Sequence, residues 1–365
     1  MLDFTSALYL GLRHPSWSLR PWAQFTTGVP AALAPPPSAR EIAQTLAALQ
    51  GCELGSFGTS TLHLFWDLFG ILADQRVAIY VDAGAYPIAR WGVERAAARG
   101  VPVQSFAHHD AGALCRQLRR GASSHLRPLV VADGFCPGCG RSVPLAAYLD
   151  CARAFGGRLI LDDTQALGIF GHSPGSDAPY GRGGGGMLPW SRVGGPDVLV
   201  VSSLAKAFGV PMALLSGSRA AVEDFESKSE TRMHCSPPSE ATVHAAEHAL
   251  AVNRTHSDAL RWRLAGLVAR FRRRAAQAGL RFTGGLFPVQ TMAPSPLIDA
   301  VNLYERLLQR GVRAVLHHAR EGAGARLSFL LTARHLPREI DLAVGALAEA
   351  LHQGQSRIAA GGERQ

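Results

Sequence analysis

Of 37 Lys and Arg residues only two are lysines, Lys206 and Lys228, which leaves 35 Arg. Lys206 stands in Ser202-Ser203-Leu204-Ala205-Lys206-Ala207-Phe208-Gly209, a small and apolar run directly after the apolar stretch Val198–Val201. An amine there is poorly hydrated as a cation, so its pKa falls and it becomes a nucleophile toward carbonyl carbon. Lys228 lies among Glu226, Ser227, Ser229 and Glu230, the composition of a solvated helix face. A second reactive pattern is Leu159-Ile160-Leu161-Asp162-Asp163-Thr164-Gln165, a buried strand ending in two carboxylates. In open α/β sheets ligands sit at the carboxyl ends of strands. Thr59-Ser60-Thr61 opens a helix, where free N–H groups, the dipole and three hydroxyls favour a phosphate. Asp82-Ala83-Gly84-Ala85-Tyr86 brings an aromatic ring to another strand end. Alone, each of these patterns is also met by an ordinary capped helix or strand-end turn.

These residues need elements to position them. Helical patterns run over Ala39–Leu49, Leu62–Ala73, Ile88–Arg99, Gly112–Arg120 and Leu145–Phe155, with short apolar strands at Val77–Val81, Pro102–Phe106, Leu129–Ala132, Arg158–Leu161 and Val198–Ser202. Such alternation with uniformly apolar strands predicts a parallel sheet covered on both faces. Gly55–Ser60 reads as a glycine- and hydroxyl-rich loop, and Gly181–Gly186 as a flexible run. Past Ser236-Pro237-Pro238 the texture changes to long helices at Glu240–Asn253 and Leu260–Ala278. Short strands follow near Val289–Met292 and Arg326–Leu331, then a helix at Pro337–Gln353 and a frayed tail, Ala359–Gln365. The expected organisation is an N-terminal arm and helix over 1–44, a large α/β domain over 45–238 and a smaller α+β domain over 239–365.

Composition sets the bounds. With 47% hydrophobic and 18% charged residues in 365, an ample core forms and wholesale disorder is excluded. No apolar run reaches membrane-spanning length and the N-terminus lacks a signal-peptide pattern, so a soluble cytoplasmic protein is expected. The net charge of +9 is spread along the chain, densest at Arg270–Arg274 in a surface helix, so nucleic acid is not the expected partner. Cys136-Pro137-Gly138-Cys139 lacks a second pair at metal-ligand spacing, so reduced cysteines in a tight loop are expected and no metal.

Phosphate cup, strand-end carboxylate, buried lysine and aromatic ring together describe a pyridoxal phosphate site. The segments Leu159–Gly171 and Pro196–Gly209, supported by Phe106–Asp110 and Ala325–His335, resemble the α-oxoamine synthase family of fold-type I pyridoxal phosphate enzymes. The resemblance spans roughly residues 25–350 and implies a homodimer. It also implies condensation of an amino acid with an acyl thioester, on CoA or an acyl carrier protein, with loss of CO2; the short N-terminal region and the departures from the family motifs point to a specialised biosynthetic pathway. Carried over by position, Lys206 is the lysine that holds the cofactor and Asp162 the carboxylate on its pyridine nitrogen. Ser203 and Thr59, Ser60 and Thr61 are phosphate contacts, and Ser236 belongs to the segment that reaches the neighbouring subunit's phosphate. Tyr86 stands where the family stacks a His, and Gln165 where it has another His; Gln165 can donate to the ring oxygen but carries no proton. The family's second Arg in Arg-Leu-Arg, which grips the substrate carboxylate, is replaced in Arg326-Leu327-Ser328. Arg326, Arg334 and His317 are the substitutes the sequence offers. The altered clamp leaves a different pyridoxal phosphate reaction open as the alternative: transamination, aldol-type cleavage or substitution at the β or γ carbon.

Overall fold

The computed structural model describes residues 1–295, 298–318 and 324–362. After a two-residue strand at Leu2–Asp3 (β1), the first helix forms over Ala39–Leu49 (α1). Ile42, Ala43, Leu46 and Ala47 recur at three- and four-residue spacing and bury one face of it. Leu54–Gly58 (β2) is a strand, not the loop expected at 55–60. Two glycines and no β-branched residue give it little strand signal of its own. Its partner decides the matter, with Ala213–Gly217 running antiparallel along it from Gly58 to Leu54.

Helices and strands then alternate as expected: Thr61–Ala73 (α2), Val77–Asp82 (β3), Pro87–Ala98 (α3), Val103–Phe106 (β4), Ala111–Gly121 (α4) and Arg127–Asp133 (β5). Short strands Phe135–Cys136 (β6) and Arg141–Ser142 (β7) bracket the Cys136–Cys139 loop, followed by Leu145–Arg153 (α5) and Arg158–Asp162 (β8). A long loop with a short helix, Met187–Ser191 (α6), leads to Val198–Ser203 (β9) and Ala213–Gly217 (β10). Arg219–Lys228 (α7), Glu230–His234 (α8) and Glu240–Thr255 (α9) follow.

Seven of these strands form one sheet in the order β2-β10-β9-β8-β5-β3-β4. The pairs β9–β8–β5–β3–β4 are all parallel, and β10 is antiparallel to both its neighbours. Successive residues of the central strands are buried alike, Ile79 with Tyr80 and Val130 with Val131, because helices cover both faces. On one face Phe65 and Phe69 of α2 pack against Ile79, Leu129, Val131 and Ile160. The Gly181–Gly186 run packs closely at its ends. Gly186 has φ +90°, and a Cβ there would lie 1.8 Å from Asp163 Oδ2, so the turn admits only glycine.

The remainder builds an antiparallel four-stranded sheet in the order Phe282–Thr283 (β11), Val289–Met292 (β12), Ala325–Leu330 (β15) and Val315–His318 (β14). β1 pairs in parallel with Val312–Arg313 (β13). Its helices are Ser257–Gln277 (α10), Ala300–Gln309 (α11) and Pro337–Gly362 (α12). Thus 359–362 of the tail continue the last helix, and 363–365 lie outside the described residues.

Two compact units result: residues 12–136 with 142–258, and residues 1–11 with 137–141 and 259–365. These divisions differ from those expected at 44 and 238. Helix α9 joins the first unit because it packs on α1, and β1 joins the second because it pairs with β13. No helix is long and apolar enough to cross a membrane among the described residues. Cys52 and Cys235 are free thiols, whereas Cys115 of α4 and Cys151 of α5 form a disulfide, which the sequence reading did not anticipate.

Candidate active site

The carboxyl ends of β3, β5, β8 and β9 bring the expected residues of the first unit to one edge. Asp162 ends β8 opposite Asp133 at the end of β5. It is buried, and its Oδ1 accepts the Thr164 N–H at 3.0 Å. Burial raises its pKa, opposed by the Thr164 hydrogen bonds and the charge of Lys206. Lys206 shows the complementary effect: desolvation lowers its pKa, and the charges of Asp162 and Asp133 work against that fall. Both directions favour the neutral forms, so the amine is available as a nucleophile at lower pH than an ordinary lysine. Lys228 instead pairs with Asp224 one turn away on the exposed face of α7.

The loop that carries Lys206 is tied at both ends. Val210 N–H reaches the Leu204 carbonyl and Leu204 N–H that of Met212. Ser203 contributes twice, its N–H donating to Thr164 Oγ1 at 3.0 Å and its Oγ accepting from the Ala205 N–H. Thr164, passed over in the sequence, therefore joins the Asp162 loop to the Lys206 loop. Gly168, at φ +82°, lets that loop approach, since a Cβ there would lie 2.5 Å from the Ala207 Cβ. Gln165 follows Thr164, half-buried. Asp163 points away into the protein, where Oδ2 accepts the Met187 N–H and burial pushes its pKa well up.

Ser60 caps α2 and accepts the His63 N–H, while Thr59 and Ser60 hydroxyls lie 3.0 and 2.8 Å from His63 Nδ1. His63 is a further polar group of this helix start that pattern reading missed, because a His three residues into an apolar helix carries no distinctive signal. Tyr86 begins α3 and is 51% exposed, with its N–H held by Asp133 Oδ1. At the end of β3, buried Asp82 accepts from His108 Nδ1, the Tyr148 hydroxyl and the N–H groups of Gly84 and His109. These four donors hold its pKa down against its burial. Ser236 is exposed after α8 and is not joined to this group by any hydrogen bond among the described residues.

Arg326 and Ser328 lie on β15 of the second unit, on one face of its sheet with Thr291 and His317. Ser328 is buried, and its Oγ lies 2.8 Å from both Thr291 Oγ1 and His317 Nε2. Arg326 is opposite His317 across β14–β15, and its buried Nε has no hydrogen-bond partner among the described residues. Arg334 is engaged by the Gly11 carbonyl.

The profile of the aminotransferase class I and II family matches residues 58–347. The 8-amino-7-oxononanoate synthase of Sodalis glossinidius is 33% identical over 250 residues, covering 68% of this chain and 61% of its own. That of Alkalilimnicola ehrlichii is 30% identical over 257 residues, covering 70% and 62%. The chain thus spans about three fifths of the length of these curated relatives. Among solved structures, Sphingomonas wittichii serine palmitoyltransferase superposes with a TM-score of 0.82 at 17% identity, over 97% of this chain and 88% of that one. Francisella tularensis 8-amino-7-oxononanoate synthase gives 0.73 at 16% identity, over 97% and 98%. With this fold and a matching profile over most of its length, the chain belongs to the aminotransferase class I and II family, and its similarities run to the α-oxoamine synthases within it.

Proposed function

We propose that the protein is a pyridoxal phosphate-dependent transferase that joins an amino acid to the acyl group of a thioester with loss of CO2, yielding an α-oxoamine. The observation that carries this reading is the meeting of Lys206 with buried Asp162 at the carboxyl edge of the sheet, each shifting the other's titration. The donor set fits the cofactor. Asp162 is a buried acid with no cationic hydrogen-bond donor among the described residues, and a protonated pyridine nitrogen would be such a donor. The first N–H groups of α2 with Thr59, Ser60 and Thr61, and the Ser203 hydroxyl, offer a phosphate cradle. Tyr86 would cover the ring face and Gln165 donate to its oxygen. When bound, the cofactor supplies an electron sink for charge at the substrate α-carbon. Lys206 Nζ would hold the cofactor and offers a base for the substrate α-proton, and Asp162 would keep the pyridine nitrogen protonated. By its place in the Arg326-Leu327-Ser328 motif, Arg326 is the guanidinium we assign to the substrate carboxylate in place of the residue at 328.

A homodimer is part of the same proposal, with Ser236 reaching the phosphate of the neighbouring subunit. Leu62, Trp66, Tyr86 and Trp91 are exposed on α2 and α3 beside the cradle, and such an apolar surface favours a partner. The acyl donor is a CoA thioester or an acyl carrier protein, and the setting a soluble cytoplasmic biosynthetic enzyme. One observation favours a second reading, another pyridoxal phosphate reaction on an amino acid: Ser328 is satisfied by His317 and Thr291 rather than presenting a guanidinium. The deciding experiment supplies each amino acid, with and without an acyl-CoA, and follows thiol release and CO2. Thiol release that needs both substrates supports the condensation; product formed without any thioester supports the second reading and overturns the first.

A further inference from the structure

His14, in the segment leading to α1, sits half-buried between two partners. Its Nε2 is 2.8 Å from the Phe208 carbonyl oxygen and its Nδ1 is 3.0 Å from Nδ1 of His248 on α9. The two rings meet edge to face. A carbonyl oxygen only accepts, so Nε2 of His14 carries a proton. In a neutral ring Nδ1 then bears the lone pair, and His248 must donate its Nδ1–H to it. Burial and the second imidazole lower the pKa of His14, which keeps the ring neutral in this arrangement. One hydrogen bond therefore fixes the tautomer that the other requires.

Phe208 is two residues beyond Lys206. Its side chain is buried, and its neighbours are fixed by main-chain bonds of Leu204, Gly209 and Val210. Beyond Lys206, the Phe208 carbonyl is where His14, far away in the sequence, meets the loop; Thr164 holds it before Lys206, at Ser203. We propose that His14 and His248 act as positioning residues: an imidazole pair that clamps the Phe208 carbonyl and so sets the orientation of Lys206 toward its carbonyl partner. This goes beyond the proposed reaction and rests on it only in taking Lys206 as the reacting amine.

The test has one arm without substitutions. Side-chain nitrogen NMR of the full-length protein should show His14 as the Nε2–H tautomer with Nδ1 accepting a hydrogen bond; the Nδ1–H tautomer would overturn the clamp. The second arm compares His14→Leu with His14→Gln, whose terminal amide nitrogen occupies the region of Nε2 and can still donate to Phe208. Cofactor-free protein is exposed to saturating pyridoxal phosphate, reduced with borohydride, and the rate of labelling at Lys206 read by peptide mass. His14→Leu should slow labelling about tenfold, the scale of one lost buried hydrogen bond. His14→Gln should recover most of the rate, and the unfolding midpoint should not track the two. Equal rates in both variants, or rates that follow the unfolding midpoint alone, would contradict a positioning role. If the unsubstituted protein labels no lysine, the reading of Lys206 fails, while the tautomer measurement still decides the clamp.

Discussion

Lys206 and Asp162 derive their chemistry from burial, and this was legible before any fold was known. A lone lysine in a small apolar run and a carboxylate at a strand end could hardly be solvated. Asp162→Asn should leave the fold intact but lower turnover by roughly a hundredfold or more, the scale of removing a preorganised charge from a site. It should also move the titration of Lys206. An ammonium is inert toward carbonyls, so labelling rises as pH climbs through the amine pKa. Removing the Asp162 charge, which supports the cation, should shift that rise to lower pH in Asp162→Asn. An upward shift would contradict the assigned coupling. Ser328 was equally legible as a departure, but what satisfies it was not. Its partners Thr291 and His317 come from two neighbouring strands, which spacing along one chain cannot reveal. Ser328→Arg forces a guanidinium into that filled row, so amino-acid affinity should stay unchanged or weaken, whereas Arg326→Ala should weaken it about tenfold. Tighter binding in Ser328→Arg, with no effect of Arg326→Ala, would show that position 328 is still the carboxylate site.

Helices and parallel strands declared themselves through apolar periodicity, and α1 begins and ends where the pattern does. The elements that escaped were those whose existence depends on a distant partner. Leu54–Gly58 is a strand only because Ala213–Gly217 lies along it. The Gly181–Gly186 run looked flexible because glycine permits many conformations, yet at Gly181 and Gly186 the Gly171 carbonyl and Asp163 leave no room for a Cβ. Two substitutions probe this scale. Gly186→Ala places a Cβ on the Asp163 carboxylate at a positive φ and should cost about 2 kcal/mol or more, seen as a lowered midpoint in denaturant. Ser60→Ala removes the acceptor for the His63 N–H and should cost about 1 kcal/mol, while also weakening cofactor binding if the start of α2 is the phosphate cradle. A stability loss with unchanged affinity for pyridoxal phosphate would move the cradle elsewhere.

Across the whole molecule, composition announced a well-filled core, and the buried apolar side chains of the central sheet and its covering helices bear that out. The Cys115–Cys151 disulfide was beyond sequence reasoning, because 36 residues separate the pair and only the packing of α4 on α5 brings them together. Intact mass without reductant should therefore be lighter by two hydrogens. Cys115→Ala should lower stability by about 2–4 kcal/mol, provided the reduced state keeps the native packing. These features bear on how the molecule holds together; its chemistry rests on one amine. The most direct measurement treats the intact protein with pyridoxal phosphate, reduces with borohydride and maps the modified peptide by mass. The account predicts a single label on Lys206, lost in Lys206→Ala and retained in Lys228→Ala. A label on Lys228, or none on either lysine, would contradict it.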